Sequence, residues 1–68
     1  MDKELNIWIH NQVSMHLSDL RSSYAFVGQP ITREILRDFL CDQFWNEFVD
    51  YPTDTQRSQI FESTQRFV

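Results

Sequence analysis

The chain is poor in residues that interrupt or cross-link a fold. Its 68 residues include one glycine, two prolines and one cysteine, Cys41. A single cysteine excludes a disulfide within the chain and is typical of a reducing compartment. Few backbone breakers favour long regular elements over loops or disorder. We therefore expect residues 1–68 to form one domain built from a few long elements.

Long apolar runs and positive charge are also scarce. No segment approaches the roughly 20 consecutive apolar residues of a membrane-spanning helix, and no secretory leader is recognisable, so we expect a cytoplasmic protein. Six basic residues stand against ten acidic ones, which gives a net charge of −4. Nucleic acids and anionic membranes attract basic proteins, so this balance disfavours both as partners.

The residue types that carry chemistry do not fall into recognisable motifs. His10 and His16 are six positions apart, which points them about 120° away from each other on a helix. Cys41 has no second cysteine to pair with. These spacings match no zinc site, and the serines near the histidines match no nucleophile motif. We therefore expect no metal, no cofactor and no enzymatic activity.

Apolar periodicity predicts three helices, at about residues 3–27, 32–50 and 54–67. In the first, apolar residues recur every three or four positions and fill one helix face. That face consists of Leu5, Ile9, Val13, Leu17, Leu20, Tyr24 and Val27. The main stripe of the second consists of Leu36, Leu40, Phe44 and Phe48, with Cys41 beside it. The third gathers Ile60, Phe61, Thr64, Phe67 and Val68 on one side.

Capping and breaking residues mark the helix boundaries. Gly28 is a suitable C-terminal stop for the first helix, and Pro30 follows it. Thr32 and Thr53 are suitable N-caps for the second and third helices. Pro52 prevents the second helix from continuing into the third.

The short connections predict the arrangement of the helices, because consecutive helices joined this way become antiparallel neighbours. We expect an all-α fold, a long antiparallel helical hairpin with a shorter third helix packed on it. At 1.5 Å per residue, the first two helices would span about 37 and 28 Å. A domain this small buries little surface, so we also expect a homodimer.

Aromatic residues are abundant, at 15% of the chain. They supply more apolar surface than one small core is expected to cover. Trp8, Met15 and Phe26 lie off the main face of the first helix, among polar residues. We predict that these three side chains form the dimer interface.

The end of the second helix is the predicted partner site. Trp45 and Val49 continue an acidic stripe along the helix. Tryptophan is enriched in interface hot spots, and acidic groups orient a partner and speed association. The predicted partner-binding residues are Trp45, Phe48, Val49, Tyr51, Asp38 and Asp42. Packing of Trp45 against the third helix is the alternative, and dimer and partner surfaces use the same residue types.

These features predict a small regulatory protein that binds a larger protein and inhibits or modulates it. In size and composition the chain is similar to small accessory proteins of phages and plasmids that disable a host regulator or enzyme. The alternative is a helix-turn-helix transcriptional regulator, because the third helix offers base-reading residue types such as Gln56 and Gln59. Only Arg57 and Arg66 are basic there, which is few for phosphate binding.

Overall fold

The computed structural model describes residues 2–68, which form three α-helices. They are α1 (Lys3–Phe26), α2 (Arg33–Phe48) and α3 (Asp54–Thr64). Residues 2–68 contain no β-strand, so the predicted all-α class is confirmed. The backbone of α3 packs closely against both α1 and α2, and the molecule measures 33 × 23 × 19 Å. No helix in this range is long and apolar enough to cross a bilayer. The hairpin and the homodimer stay predictions, and residue 1 lies outside the described residues.

The first helix is capped at both ends by its own sequence. The Asp2 carboxylate accepts hydrogen bonds from the backbone N–H groups of Glu4 and Leu5, at 2.9 and 3.2 Å. At the other end, Gly28 has φ +75° and the N–H of Gln29 donates to the carbonyl of Tyr24. A left-handed residue followed by a hydrogen bond to the carbonyl five residues back is the Schellman motif. Glycine occupies its left-handed position without steric cost.

The second and third helices end earlier than the periodicity indicates. Helix α2 stops at Phe48 because Val49 adopts a left-handed conformation, with φ 52° and ψ 38°. Helix α3 begins with a capping box between Thr53 and Gln56. It ends at Thr64, because the N–H groups that follow donate to carbonyls three residues back instead of four. An example is the 3.2 Å bond from the Arg66 N–H to the Ser63 carbonyl.

The core is formed by eight buried apolar residues from all three helices. They are Leu5, Ile9, Val13, Leu36, Leu40, Cys41, Phe44 and Ile60. Six belong to the predicted main stripes of α1 and α2, and Cys41 lies beside the second stripe, because these faces point inward. The C-terminal end of α1 lies beyond the core, since Phe26 and Val27 are 92% and 64% exposed. One end of the longest helix therefore contributes little buried surface.

One buried amide joins α3 to the start of α1. The Gln59 Nε2 group donates to the Asp2 carbonyl at 2.7 Å and to Asn6 Oδ1 at 3.0 Å. Its Oε1 atom accepts from the Asp2 N–H at 3.2 Å. Gln59 is only 9% exposed, so these bonds replace water that its amide has lost. They fix where α1 begins relative to α3.

An arginine joins the C-terminal end of α3 to the start of α2. Arg33 donates from Nε to Thr64 Oγ1 at 3.2 Å and from Nη2 to the Phe61 carbonyl at 3.0 Å. Its guanidinium also stacks 4.3 Å from the centre of the Phe61 ring. The middle and the C-terminal end of α3 are therefore held by different neighbours, with Gln59 bonding to α1 and Arg33 reaching from α2.

Replacing Val49 with glycine is expected to stabilise the fold. A β-branched residue at positive φ is strained by about 1–2 kcal/mol, and glycine removes that strain. Val49 is 76% exposed, so little apolar burial is lost. Glycine also raises the conformational entropy of the unfolded chain, which offsets part of this gain. We therefore expect Val49→Gly to raise the free energy of unfolding by about 0.5–1 kcal/mol. Urea denaturation measures it.

The matched control is Val27→Gly. Val27 is also exposed at a helix end, but its φ is −96°, which is unstrained. Glycine there is expected to lower the free energy of unfolding by about 0.5 kcal/mol. Equal effects of the two substitutions would contradict the assignment of strain to Val49.

Removing the Gln59 amide is expected to destabilise the fold. Gln59→Ala deletes three hydrogen bonds and leaves the facing groups of Asp2 and Asn6 poorly solvated. We expect this to lower the free energy of unfolding by about 2 kcal/mol. Gln65→Ala, in the exposed turn after α3, is the control and is expected to stay within about 0.5 kcal/mol of wild type. Equal stability of the two variants would show that the amide link is not needed.

Candidate functional site

A groove opens where the start of α1 meets the corner between α2 and α3. Its volume is about 450 Å³, within the size range of ligand-binding clefts. We call it the corner groove, and it is lined by Asp2, Glu4, Leu5, Trp8, Phe44, Phe48, Asp50, Tyr51, Thr53 and Gln56. Residues from all three helices and from the α2–α3 connection meet here.

The floor of the corner groove is a packed aromatic cluster. The Trp8 and Phe44 rings pack edge to face with their centres 5.6 Å apart, and Phe48 lies 4.7 Å from Phe44. Trp8 also donates its indole N–H to the Glu47 carboxylate. Such ring geometries are favourable beyond the area they bury. The floor is therefore a preformed apolar surface whose rings are held by one another.

The rim of the corner groove is acidic. It carries Asp2, Glu4 and Asp50, and none of its lining residues is a lysine or an arginine. The Asp50 carboxylate accepts the Tyr51 N–H at 2.9 Å, which holds it at the corner. Asp2 bonds two backbone N–H groups at the start of α1, and the Thr53 capping box bonds one at the start of α3. With three carboxylates and no cation among its lining residues, the rim has negative charge.

The apolar residues predicted for the partner site lie at the C-terminal end of α2 and just after it. Trp45, Phe48, Val49 and Tyr51 are 49–76% exposed, and we call these four the α2-end surface. Phe48 and Tyr51 also line the corner groove, so the two features are continuous. Trp45 is not among the residues packed against the core. This end of the protein presents large apolar side chains that its own fold leaves half uncovered.

The two acidic residues predicted for the partner site lie outside the corner groove. Asp38 and Asp42 are exposed on α2, before Trp45. Asp38 pairs at 3.0 Å with the adjacent Arg37, which offsets its charge. The structure instead brings Asp2, Glu4 and Asp50 to the aromatic residues.

The residues predicted for a dimer interface have different surroundings. Trp8 is partly buried and packs within the chain on Phe44 and Phe48. Met15 and Phe26 are 65% and 92% exposed. Their role in a dimer stays a prediction, with Trp8 now also placed in the corner groove.

The sequence pattern did not identify the α1 contribution to the groove. Leu5 was predicted on the apolar face of the first helix and is buried, whereas Asp2 and Glu4 were not singled out. Their approach to Asp50 and Tyr51 depends on how α1 and α2 pack, about 45 positions apart in the chain, for which no local signal exists. In the sequence, Asp50 marked only the boundary between the second and third helices.

The histidines and the cysteine are distributed over separate parts of the fold. The His16 ring packs edge-on to Phe39 with centres 5.3 Å apart, while the His10 ring lies 6.1 Å from Phe67. Cys41 is buried at 3% exposure, and this burial raises the pKa of its thiol, although nearby Arg57 acts to lower it. Within residues 2–68, no group of three His, Cys, Asp or Glu side chains is placed to hold a metal ion.

Comparison with known proteins adds no relative. No protein-family model, curated protein or solved structure matches this chain. The geometry of the site therefore carries the functional argument.

The buried thiol is expected to make stability fall at alkaline pH. Folding raises the pKa of Cys41, so the unfolded chain releases this proton at a lower pH than the folded chain. Ionisation therefore favours unfolding as pH rises above about 8.5, until the folded-state pKa is passed. We expect the free energy of unfolding to decline more steeply above this pH in wild type than in Cys41→Ala, measured by urea denaturation from pH 7 to 10. Parallel curves would contradict the assignment.

Proposed function

We propose that this protein is a small non-enzymatic regulator that binds a larger protein and inhibits or modulates it. Binding occurs through the α2-end surface and the adjoining corner groove. The observation that carries the proposal is the half-exposure of Trp45, Phe48 and Tyr51 at one end of the molecule, next to a groove with an aromatic floor.

The energetics of apolar exposure support this choice of surface. Covering apolar area contributes about 25 cal/mol per Å², and tryptophan and tyrosine are frequent interface anchors. The rings around Phe48 already pack on one another, so a partner meets side chains that have lost much of their rotamer freedom. Pre-organisation of this kind lowers the entropy cost of binding.

The proposed assembly includes an antiparallel α1–α2 hairpin and a homodimer. Ring contacts link Trp8 to Phe44 and His16 to Phe39, so residues later in α1 meet residues earlier in α2, which favours the antiparallel pairing. Met15 and Phe26 leave apolar surface on α1 for a second subunit. A cytoplasmic location is consistent with the unpaired, buried thiol of Cys41.

The helix-turn-helix alternative receives less support from the charges on α3. Exposed Arg57 and Arg66 share the α3 region with exposed Asp54 and Glu62, so the local charges offset one another. A further cation, Arg33, is engaged with the Phe61 ring and carbonyl. Phosphate binding depends on uncompensated cations, so this surface is weakly suited to DNA. A low-salt mobility assay with genomic DNA is expected to show no shift.

Trp45→Ala is expected to abolish partner binding while leaving the fold intact. Trp45 is half exposed and lies outside the core, so its loss is expected to lower the free energy of unfolding by less than about 1 kcal/mol. Phe44→Ala, which empties a buried site, is expected to lower it by about 3 kcal/mol. Urea denaturation separates these outcomes.

The binding itself is tested by affinity capture from the native cells. A partner retained by wild type and by Met15→Ala, but lost with Trp45→Ala, is the expected result, because Met15 is also exposed yet distant in the chain from the α2-end surface. Retention by Trp45→Ala, or no retained protein at all, would argue against the proposal. A stability loss near that of Phe44→Ala would place Trp45 in the core instead.

A further inference from the structure

We infer that the corner groove takes a basic amphipathic helix of a partner protein, with one large apolar side chain on the aromatic floor and lysine or arginine on either side of it. This inference rests on the proposed function, since it names the partner chemistry of the same site. It follows from the shape of the floor and from the position of each charge on the rim.

The floor sets the apolar part of the ligand. Leu5, Trp8 and Phe44 are buried or partly buried beneath the groove, and Phe48 and Tyr51 are half exposed at its edge. An inserted leucine or phenylalanine would therefore meet carbon atoms below and on one flank. Amphipathic helices commonly present such an anchor to a hydrophobic groove.

The rim sets the charge of the ligand. Glu4 and Asp2 stand at the start of α1, whereas Asp50 stands on the α2–α3 corner, so carboxylates come from two different elements of the lining. Within residues 2–68, the Glu4 carboxylate forms no ion pair, and that of Asp50 is bonded only to a backbone N–H. Both keep their charge for a partner. Opposite charge on a ligand is favoured beside an apolar floor, where screening by water is weaker than in bulk.

Other occupants fit this charge pattern less well. An anion would meet the carboxylates of Asp2, Glu4 and Asp50, and no lysine or arginine lines the groove to offset them. A second copy of the chain could offer its exposed Phe26, but residues 22–30 around it include no lysine or arginine. Two copies also carry a charge of −4 each, which opposes their contact at an acidic rim.

Three synthetic helical peptides test the inference directly. They share one leucine–phenylalanine face and differ only in the flanking positions, which are lysine, glutamine or glutamate. Fluorescence anisotropy measures their affinities for the full chain, and amide chemical-shift changes locate them. We expect the lysine peptide to shift the amides of the corner groove and to bind at least about tenfold more tightly than the glutamate peptide, with a preference that weakens as salt is added.

A pair of charge-matched variants separates local from general electrostatics. Glu4→Gln with Asp50→Asn removes two rim carboxylates and keeps an acceptor for the Tyr51 N–H. Asp19→Asn with Glu62→Gln removes two exposed carboxylates outside the groove. Each double variant changes the net charge from −4 to −2, since each substitution removes one negative charge. We expect the first pair to weaken the lysine peptide about fivefold and the second pair by less than about twofold.

Several results would overturn the inference. Equal weakening by both double variants would assign the preference to net charge alone. Equal binding of all three peptides in the groove would remove the charge requirement, while the proposed function would stand on an apolar surface. Absence of shifts in the groove with the lysine peptide, or amide shifts on dilution that place a second copy in the groove, would also overturn it. The capture experiment with Trp45→Ala uses no peptide, so it judges the proposed function separately.

Discussion

The buried amide of Gln59 is the contact on which the arrangement of this small fold depends. It bonds to both backbone groups of Asp2 and to the Asn6 side chain, and so fixes the first turn of α1 against α3. That turn carries Asp2, Glu4 and Leu5, which form one wall of the corner groove. Without a fixed start of α1, the carboxylates of this turn would not line the same groove as Asp50. A polar contact in the interior therefore shapes the candidate site on the surface.

The balance between core and surface explains why one end of the molecule suits a partner. The core takes three residues from α1, four from α2 and one from α3, and the other large apolar side chains are partly buried or exposed. At the α2 end this leaves Trp45, Phe48, Val49 and Tyr51 beside Trp8, whose indole is held by Glu47. Large exposed apolar groups on a small domain typically mark an interaction site. The same residues that limit the stability of the isolated chain would supply the energy of association.

Local signals predicted the helices well, because each depends on residues close in the chain. The apolar face of α1 repeats every three or four residues. Gly28 and the threonine caps act within one or two turns of the helix ends. The left-handed Val49 was missed, since a β-branched residue is a poor candidate for positive φ and the turn before Pro52 forces the choice. Of the groove residues, Phe48 and Tyr51 were named in the predicted partner site because they lie at the end of the second helix and at the corner after it. Asp2, Glu4 and Asp50 were not, because their proximity arises only from packing between distant segments.

The division between floor and rim gives the site two separable kinds of residue. The floor rings of Trp8 and Phe44 belong to the same packing that holds α1 on α2, so changing them alters folding and binding together. The rim carboxylates of Glu4 and Asp50 are exposed and contribute little to packing. The rim can therefore be changed while the fold is preserved, which would alter the preference of the proposed partner site. In a domain with so small a core, specificity carried by exposed charges beside a shared aromatic floor is the arrangement that costs the least stability.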